Sequence, residues 1–350
     1  MLYIFFIFIL ANALSALDIR NINTQDNEFS PAFYPDGKCV IFSSNRLGKP
    51  DTNLYLACEG EPVKPLVNLN SPYHDESPRL SGDGKILVFA SDRDGSKESI
   101  DSNHRIRVSF DIYISYKTKT GWTNPVPIPG EVNSFAHERS PALNYDGSVL
   151  YFNRWPFGNI KKAKLYKAVL QNGKYRSVTL LPSVVNSGFA DVGLVPAFQG
   201  TTIQGFYFAS RRPGGFGGWD IYYTKVQGDK WLPPVHLPKP VNSPQSEVYL
   251  SWHNGKLYLA SNRKGGKGGY DLYAFLDPAR AKKYTVIVQD KESKKPLSLK
   301  ATIHSEFNGQ KIQITKKSNT KGKFSLEVSE KLGQVMIEIQ KEGYLPLFYK

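Results

Sequence analysis

Apolar and polar positions alternate in a fixed order that recurs along residues 17–276. Ser30-Pro31-Ala32-Phe33 runs into the break Asp36-Gly37-Lys38, a second apolar run spans Cys39 to Ser44, Asn45-Arg46 opens a polar loop, and Asn53-Leu54-Tyr55-Leu56 follows. The same parts return from Ser77-Pro78 through Asp83-Gly84, Ile86 to Ser91 and Asp92-Arg93 to Phe110-Asp111-Ile112-Tyr113. A third copy runs from Ser140-Pro141 to Lys164-Leu165-Tyr166. A fourth, which lacks the Asp-Gly break, ends at Trp219-Asp220-Ile221-Tyr222, and a fifth ends at Tyr270-Asp271-Leu272-Tyr273. Short runs around Asp-Gly or Asn-Gly predict hairpins of short strands. A further element closing on Asn recurs at Pro62 to Asn70, Pro125 to Asn133, Leu180 to Asn186 and Pro234 to Asn242. Four strands per copy predict an all-β propeller blade.

The fifth copy stops near Phe275 with no fourth strand, whereas Leu17 to Asn23 precedes the first copy and matches Val67 to Asn70 in pattern. The N-terminal strand is therefore expected to complete the last blade and leave no open sheet edge. This count predicts five blades over residues 17–278, with six as the alternative should a unit lie within the drifted or inserted segments. Beyond Arg280 the period changes to alternating runs at Tyr284 to Asp290, Ala301 to Ile303, Lys311 to Thr315, Lys323 to Val328 and Val335 to Gln340. These predict a small β-sandwich over residues 282–350.

Ser-Pro, Asp-Gly-Lys, Phe-x-Ser-x-Arg and Asp-Ile-Tyr make these copies resemble the PD40, or WD40-like, TolB-type propeller repeat. The later segment carries Pro296-Leu297, Thr320-Lys321-Gly322-Lys323-Phe324 and Lys341-Glu342-Gly343-Tyr344, and resembles the carboxypeptidase-regulatory-like, transthyretin-like domain. In combination the two resemble the central part of OmpA-family envelope proteins, which implies an exported protein of the bacterial envelope.

Composition sharpens this picture in two places. Leu2 to Leu10 is an apolar run followed by Ala11-Asn12-Ala13 and Leu14-Ser15-Ala16, the pattern of a secretory signal peptide over residues 1–16, although no Lys or Arg precedes Arg20. No other apolar stretch reaches the ~20 residues of a transmembrane helix, so the mature chain is expected to have none. The net charge of +14 is unevenly spread: residues 281–350 hold 14 lysines, no arginine and 7 acidic residues. Export makes nucleic acid an unfavourable partner for that charge, and an anionic polymer or acidic protein surface a better one.

If Ser44 faces Asn53 in a hairpin, Cys39 falls opposite Cys58, within disulfide reach in an oxidising compartment; two small buried residues are the alternative. His74 and His137 precede acidic residues at matching places in two copies, which points to blade architecture rather than a metal site, so no metal or cofactor is expected. The Gly214 to Gly218 and Gly265 to Gly269 runs lead into strands, unlike phosphate loops that open a helix, and read as turns using positive φ. The insertion from Asp92 to Asn103 carries carboxylates without EF-hand spacing. Asp111, Asp220 and Asp271 recur at strand starts, where a carboxylate pair across the channel would be the requirement for glycoside hydrolysis. No nucleophile with its base is legible, so no catalytic residue is expected. Arg46, Arg93, Arg154, Arg211, Trp219 and Arg263 recur at loop tips and are either partner-binding residues or internal blade contacts.

The expected function is a non-enzymatic binding or scaffold protein of the cell envelope, periplasmic or outer-membrane associated, using the propeller for protein–protein contact. Binding of cell-wall glycan or another anionic polymer is the alternative, and a glycan-processing site in the channel the second.

Overall fold

The computed structural model describes residues 2–3, 17–46, 48, 50–100, 104–277, 281–290, 293, 295–307, 310–329, 335–341 and 347–349. Regular structure among them is β-strand apart from two short 3-10 turns, Ile19–Ile22 and Ile160–Lys162. The chain divides into two compact units, one spanning Ala16–Phe275 and the other joining Met1–Ser15 to Leu276–Lys350.

Among the described residues the first unit contains, besides a small two-stranded sheet of Glu98–Ile100 with Ile106–Val108 in the insertion of the second copy, five large antiparallel sheets, each made from one sequence copy. Their first three strands are Glu28–Phe33, Cys39–Ser44 and Asn53–Cys58; Asp75–Leu80, Ile86–Ser91 and Asp111–Tyr116; His137–Leu143, Val149–Trp155 and Lys164–Gln171; Asp191–Gln199, Thr202–Ser210 and Asp220–Gln227; and Glu247–His253, Lys256–Ser261 and Asp271–Leu276. The first strand of each sheet neighbours the first strands of the preceding and following sheets, and Glu247–His253 neighbours Glu28–Phe33, so the cycle closes. The apolar cores lie between sheets. Ile41 and Leu54 of the first sheet meet Leu87 and Phe89 of the second, Val88 and Ile112 meet Leu150 and Phe152, Leu165 meets Phe206 and Phe208, Ile221 meets Leu250 and Leu259, and Tyr258 and Leu272 meet Phe29 and Phe42. This is the packing of a β-propeller, in which alternate faces of each sheet serve two neighbours.

Each first strand carries a bulge at the same place. The register shifts between Phe29 and Ala32, Glu76 and Arg79, Arg139 and Ala142, Val192 and Val195, and Val248 and Ser251. Inside these bulges Ser30, Ser77, Ser140, Gly193 and Tyr249 all have φ between 49° and 67°. The bulge bends the strand and re-aims the side chains that line the ring centre.

Closure differs from expectation in one respect. The segment before the first strand is not a fourth strand of the last sheet but the 3-10 turn Ile19–Ile22, and that sheet has three strands. Asn23 latches the segment to the last sheet: its side-chain amide accepts from the Leu272 N–H (2.9 Å) and donates to the Leu272 carbonyl (3.0 Å). A side chain thus replaces the ladder bonds of a strand, and the Glu28 N–H donates to the Tyr270 carbonyl alongside (2.8 Å). Asn70, Asn133, Asn186 and Asn242 do the same for Leu54, Ile112, Leu165 and Ile221.

The second unit holds a four-stranded sheet of Gln310–Lys317, Lys300–Phe307, Val335–Gln340 and Leu347–Tyr349, and the separate pair Ala281–Ile287 and Lys323–Ser329. Val286, Val288, Ala301, Ile303, Phe324 and Ile339 are buried there. Of the segment read as a signal peptide, only Leu2–Tyr3 is described, paired antiparallel with Gln289–Asp290; the rest of residues 1–16 lies outside the described residues. Among the described residues no helix is long and apolar enough to cross a membrane.

Candidate functional site

The recurrent arginines are built into the blades. Arg46 donates from Nη2 to the Ile22 carbonyl (2.9 Å) and Glu28 Oε1 (3.3 Å), from Nε to Ser44 Oγ (3.3 Å), and lies over Phe42 and Tyr55. Arg93 repeats the set with Leu69, Asp75 and Ser91 between Phe89 and Tyr113. Arg154 repeats it with Val132 and Glu138 over Phe152 and Tyr166, and Arg263 with Val241, Glu247 and Ser261 over Tyr273 and Phe275. The carboxylates Glu28, Asp75, Glu138, Asp191 and Glu247 are fully buried. A buried carboxylate needs a partner of this kind, and a planar guanidinium also stacks on aromatic faces. In the fourth copy this place belongs to Arg212, which bonds Val185, Asp191 and Ser210 between Phe208 and Tyr222. Arg211 instead is exposed and lies over Trp219, donating to the Gly218 carbonyl. Arg46, Arg93, Arg154 and Arg263 therefore spend their donors inside the ring, each tying its sheet to the segment leading in from the sheet before; Arg211 and Trp219 stay at the surface.

The other repeated residues also serve the ring. Asp111 accepts from Ser109 and the Lys97 N–H, Asp220 from the Phe216 and Gly217 N–H groups, and Asp271 from those of Lys267 and Gly268. They cap their own loops. His74 and His137 accept from the Thr52 and Phe110 N–H groups through Nδ1. Gly214 and Gly265 use positive φ as read from the sequence, but Gly217 and Gly268 have another reason: a Cβ there would sit 1.7 Å from the Gln245 carbonyl oxygen and 1.8 Å from that of Asp26. Cys39 stands opposite Cys58, with Cα atoms 4.1 Å apart, and the two are joined in a disulfide. Part of the acidic insertion, residues 101–103, lies outside the described residues, and no group of three or more metal-type ligands occurs among the described ones.

What breaks the repeat lies at the ring centre. On the rim from which the first strands enter, a pocket of about 550 Å³ is lined by Trp155, Trp219, Tyr249, Tyr270 and Ile160, with Arg139 among its walls. Arg139 donates from Nε to Glu76 Oε1 at 2.6 Å, its Nη2 pairs with the same carboxylate, and its guanidinium lies 4.3 Å from the Phe110 ring centre. Burial works against the Arg139 charge and Glu76 more than offsets it, so its pKa lies above the ordinary guanidinium value. Burial pushes the Tyr249 phenol up to about 12. Its walls are largely apolar, with the Arg139 guanidinium as the charged group among them. The topology sends the loops before each first strand, and those between second and third strands, to this rim. Eight of the exposed large apolar side chains lie in them: Tyr73, Ile100, Ile106, Phe135, Phe157, Ile160, Phe189 and Phe216. All belong to sheets two to four. Only Trp219, of the residues singled out in the sequence, lines this pocket; Glu76 and Arg139 gave no signal because each occurs in one copy.

At the opposite end a second cavity, about 410 Å³ with its opening, is lined by the first strands of all five sheets, through residues such as Phe33, Arg79, Leu143, Val195 and Trp252. Arg79 reaches across it, donating from Nη1 to the carbonyls of Pro31 (3.3 Å) and Pro78 (2.8 Å) and from Nη2 to that of Leu250. Burial with no carboxylate beside it pulls its pKa down to about 9.

No protein-family model and no curated protein matches the chain. Among solved structures it is similar to TolB from Acinetobacter baumannii, with 20% identity, a TM-score of 0.40 and coverage of 61% of this chain and 44% of that one. It is also similar to an alpha-L-arabinofuranosidase from Lactobacillus brevis, at 11% identity and TM-score 0.48, covering 72% and 90% of the two chains. A third is prolyl oligopeptidase B from Galerina marginata, at 12% identity and TM-score 0.36, covering 85% and 47%. The chain thus spans less than half the length of the TolB structure.

Proposed function

We propose that the chain is an exported, non-enzymatic binding protein of the bacterial envelope: a five-bladed propeller followed by a small transthyretin-like β-sandwich, docking a partner protein on the rim that carries Trp155, Trp219 and Tyr249. One observation carries this reading. The exposed aromatic and aliphatic side chains gather on one rim of three adjacent sheets and surround a pocket whose polar base is an internally satisfied Arg139–Glu76 pair. Buried aromatic anchors with an arginine are the composition of protein-binding hot spots, and the surrounding apolar residues exclude water from them. The export signal read at residues 1–16, the disulfide and the resemblance of the repeats to envelope propellers support the location.

The test uses the mature chain in envelope fractions. Photocrosslinkers at Phe157 and Phe189 are expected to capture one stoichiometric partner, and crosslinkers at Lys38 and Lys85, in the hairpins of the opposite rim, are not. Capture from the hairpin rim alone would overturn the assignment of the face.

The lysine density of residues 281–350 supports a second reading, attachment of the sandwich to an anionic envelope polymer. That binding is expected to weaken steeply between low and high salt, as screened charge attraction does.

A further inference from the structure

We infer that the hairpin-side cavity of the propeller is a binding site for a small apolar carboxylate, held by Arg79. A guanidinium taken out of water costs several kcal/mol unless its charge and donors are matched. Arg79 has neither match in full. Its relative exposure is 8%, and no acidic side chain pairs with it among the described residues. Three carbonyls of three different strands receive three of its five N–H groups. The remaining two belong to Nε and Nη2, the edge of the fork that engages a carboxylate with two parallel bonds. Contrast is supplied by Arg139 of the next sheet, three residues before Ala142, the counterpart of Arg79: it is only half-buried and is already paired with Glu76. The five latch guanidiniums, Arg46, Arg93, Arg154, Arg212 and Arg263, each meet a buried carboxylate.

The walls decide what the carboxylate is attached to. Ala142, Leu143, Val195 and Trp252 are apolar, and Ser251 is the one hydroxyl among the lining residues. Such side chains pack against a short hydrocarbon, and the one cationic side chain among the lining residues selects one negative charge, so the ligand is a single carboxylate with a short apolar tail. Two sources share that chemistry: a free short-chain acid, and a peptide C-terminus with an apolar last residue.

The full chain is titrated with butyrate and with its neutral counterpart butyramide, following Trp252 fluorescence against a Trp252→Phe control. Butyrate is expected to bind at least tenfold more tightly than butyramide and to raise the melting temperature. Equal responses to the two would overturn the charge assignment. Arg79→Met should abolish the difference; because that variant also loses contacts among three strands, Ala142→Leu is used beside it, filling the cavity while keeping the guanidinium. Undiminished butyrate binding by Ala142→Leu would place the site elsewhere and end the proposal. The dipeptide Ala-Leu and its C-terminal amide form the second arm: binding of the free acid but not the amide identifies a peptide terminus as an accepted source, and binding of butyrate alone restricts the site to free acids. Binding of neither butyrate nor the acidic dipeptide refutes the inference.

Discussion

The Asn23 latch at the point where the ring closes is open to a quantitative test. Asn23→Ala removes the two bonds that Asn23 makes with Leu272, at 2.9 and 3.0 Å, and leaves a strand N–H and C=O facing each other without the amide between them. A net hydrogen bond is worth about 1 kcal/mol, and an abandoned buried group costs about 1 to 3. Asn23 is half-buried, so water recovers part of the loss, and about 2 kcal/mol is expected. Asn242→Ala is the internal standard: Asn242 is 1% exposed and bonds to Ile221 twice and to the Leu237 carbonyl, so about 3 kcal/mol is expected there. Urea denaturation measures both. The two substitutions should differ in where protection is lost. Asn23→Ala frees the segment that closes the ring, so the Leu272 amide should exchange with solvent about 30-fold faster while the Ile221 amide hardly changes. If Asn23→Ala costs less than about 0.5 kcal/mol and leaves Leu272 protected while Asn242→Ala behaves as expected, the N-terminal segment does not close the ring.

Other consequences can be measured separately. Reducing the Cys39–Cys58 bridge, which closes a separation of 19 residues, should cost about 3 kcal/mol by loop entropy, read as a lower denaturation midpoint with reductant present. Gly268→Ala drives a Cβ onto the Asp26 carbonyl and Gly217→Ala onto that of Gln245, so each should cost several kcal/mol, whereas Gly228→Ala, with open space around it, should cost no more than about 1 from its positive φ. Burial, with Arg139 close by, lowers the His137 pKa to about 4. The unfolded imidazole, titrating near 6.5, then binds a proton that the folded one does not, so this contribution to stability is complete above pH 6.5 and is lost as the pH falls toward 4. An NMR titration of His137 with a midpoint near 6 would contradict that, and His137→Gln should flatten this part of the stability profile.

The periodic part of the fold was legible because it rests on local chemistry repeated five times. Asp36-Gly37, Asp83-Gly84 and Asp146-Gly147 set hairpin turns, and the pairing arithmetic that placed Cys39 opposite Cys58 matches the register found. The N-terminal segment was assigned to the right place but to the wrong backbone form: the Asn23 latch common to all copies was in the pattern, whereas the 3-10 turn Ile19–Ile22 before it was not. In the fourth copy the latch arginine is Arg212 and not Arg211: both follow Ser210, and only the direction of the side chain toward Asp191 separates them. Arg79, Arg139 and Glu76 left no trace in the pattern, because their neighbours across the channel come from other copies, about sixty residues away in the case of Glu76 and Arg139.

That difference separates what holds the ring from what it can recognise. Latch positions are chemically equivalent in all five copies: an acid at the start of the first strand, an arginine after the second, an asparagine before the next copy. Positions facing the axis are not. Before the bulge they read Phe29, Glu76, Arg139, Val192 and Val248, and after it Ala32, Arg79, Ala142, Val195 and Ser251. A symmetric ring with a uniform lining would offer the same surface in five directions and bind without orientation. Here the charges lie on the second and third sheets and the other three are mainly apolar, so the lining is polar toward one side of the axis only. Exchanging Glu76 and Arg139, as Glu76→Arg with Arg139→Glu, keeps an ion pair and reverses its direction. Stability is expected to recover most of what either single change loses, since the pair is buried and mutually compensated. Partner capture on the aromatic rim is expected not to recover, and recovery of both would mean that the pair serves the fold alone.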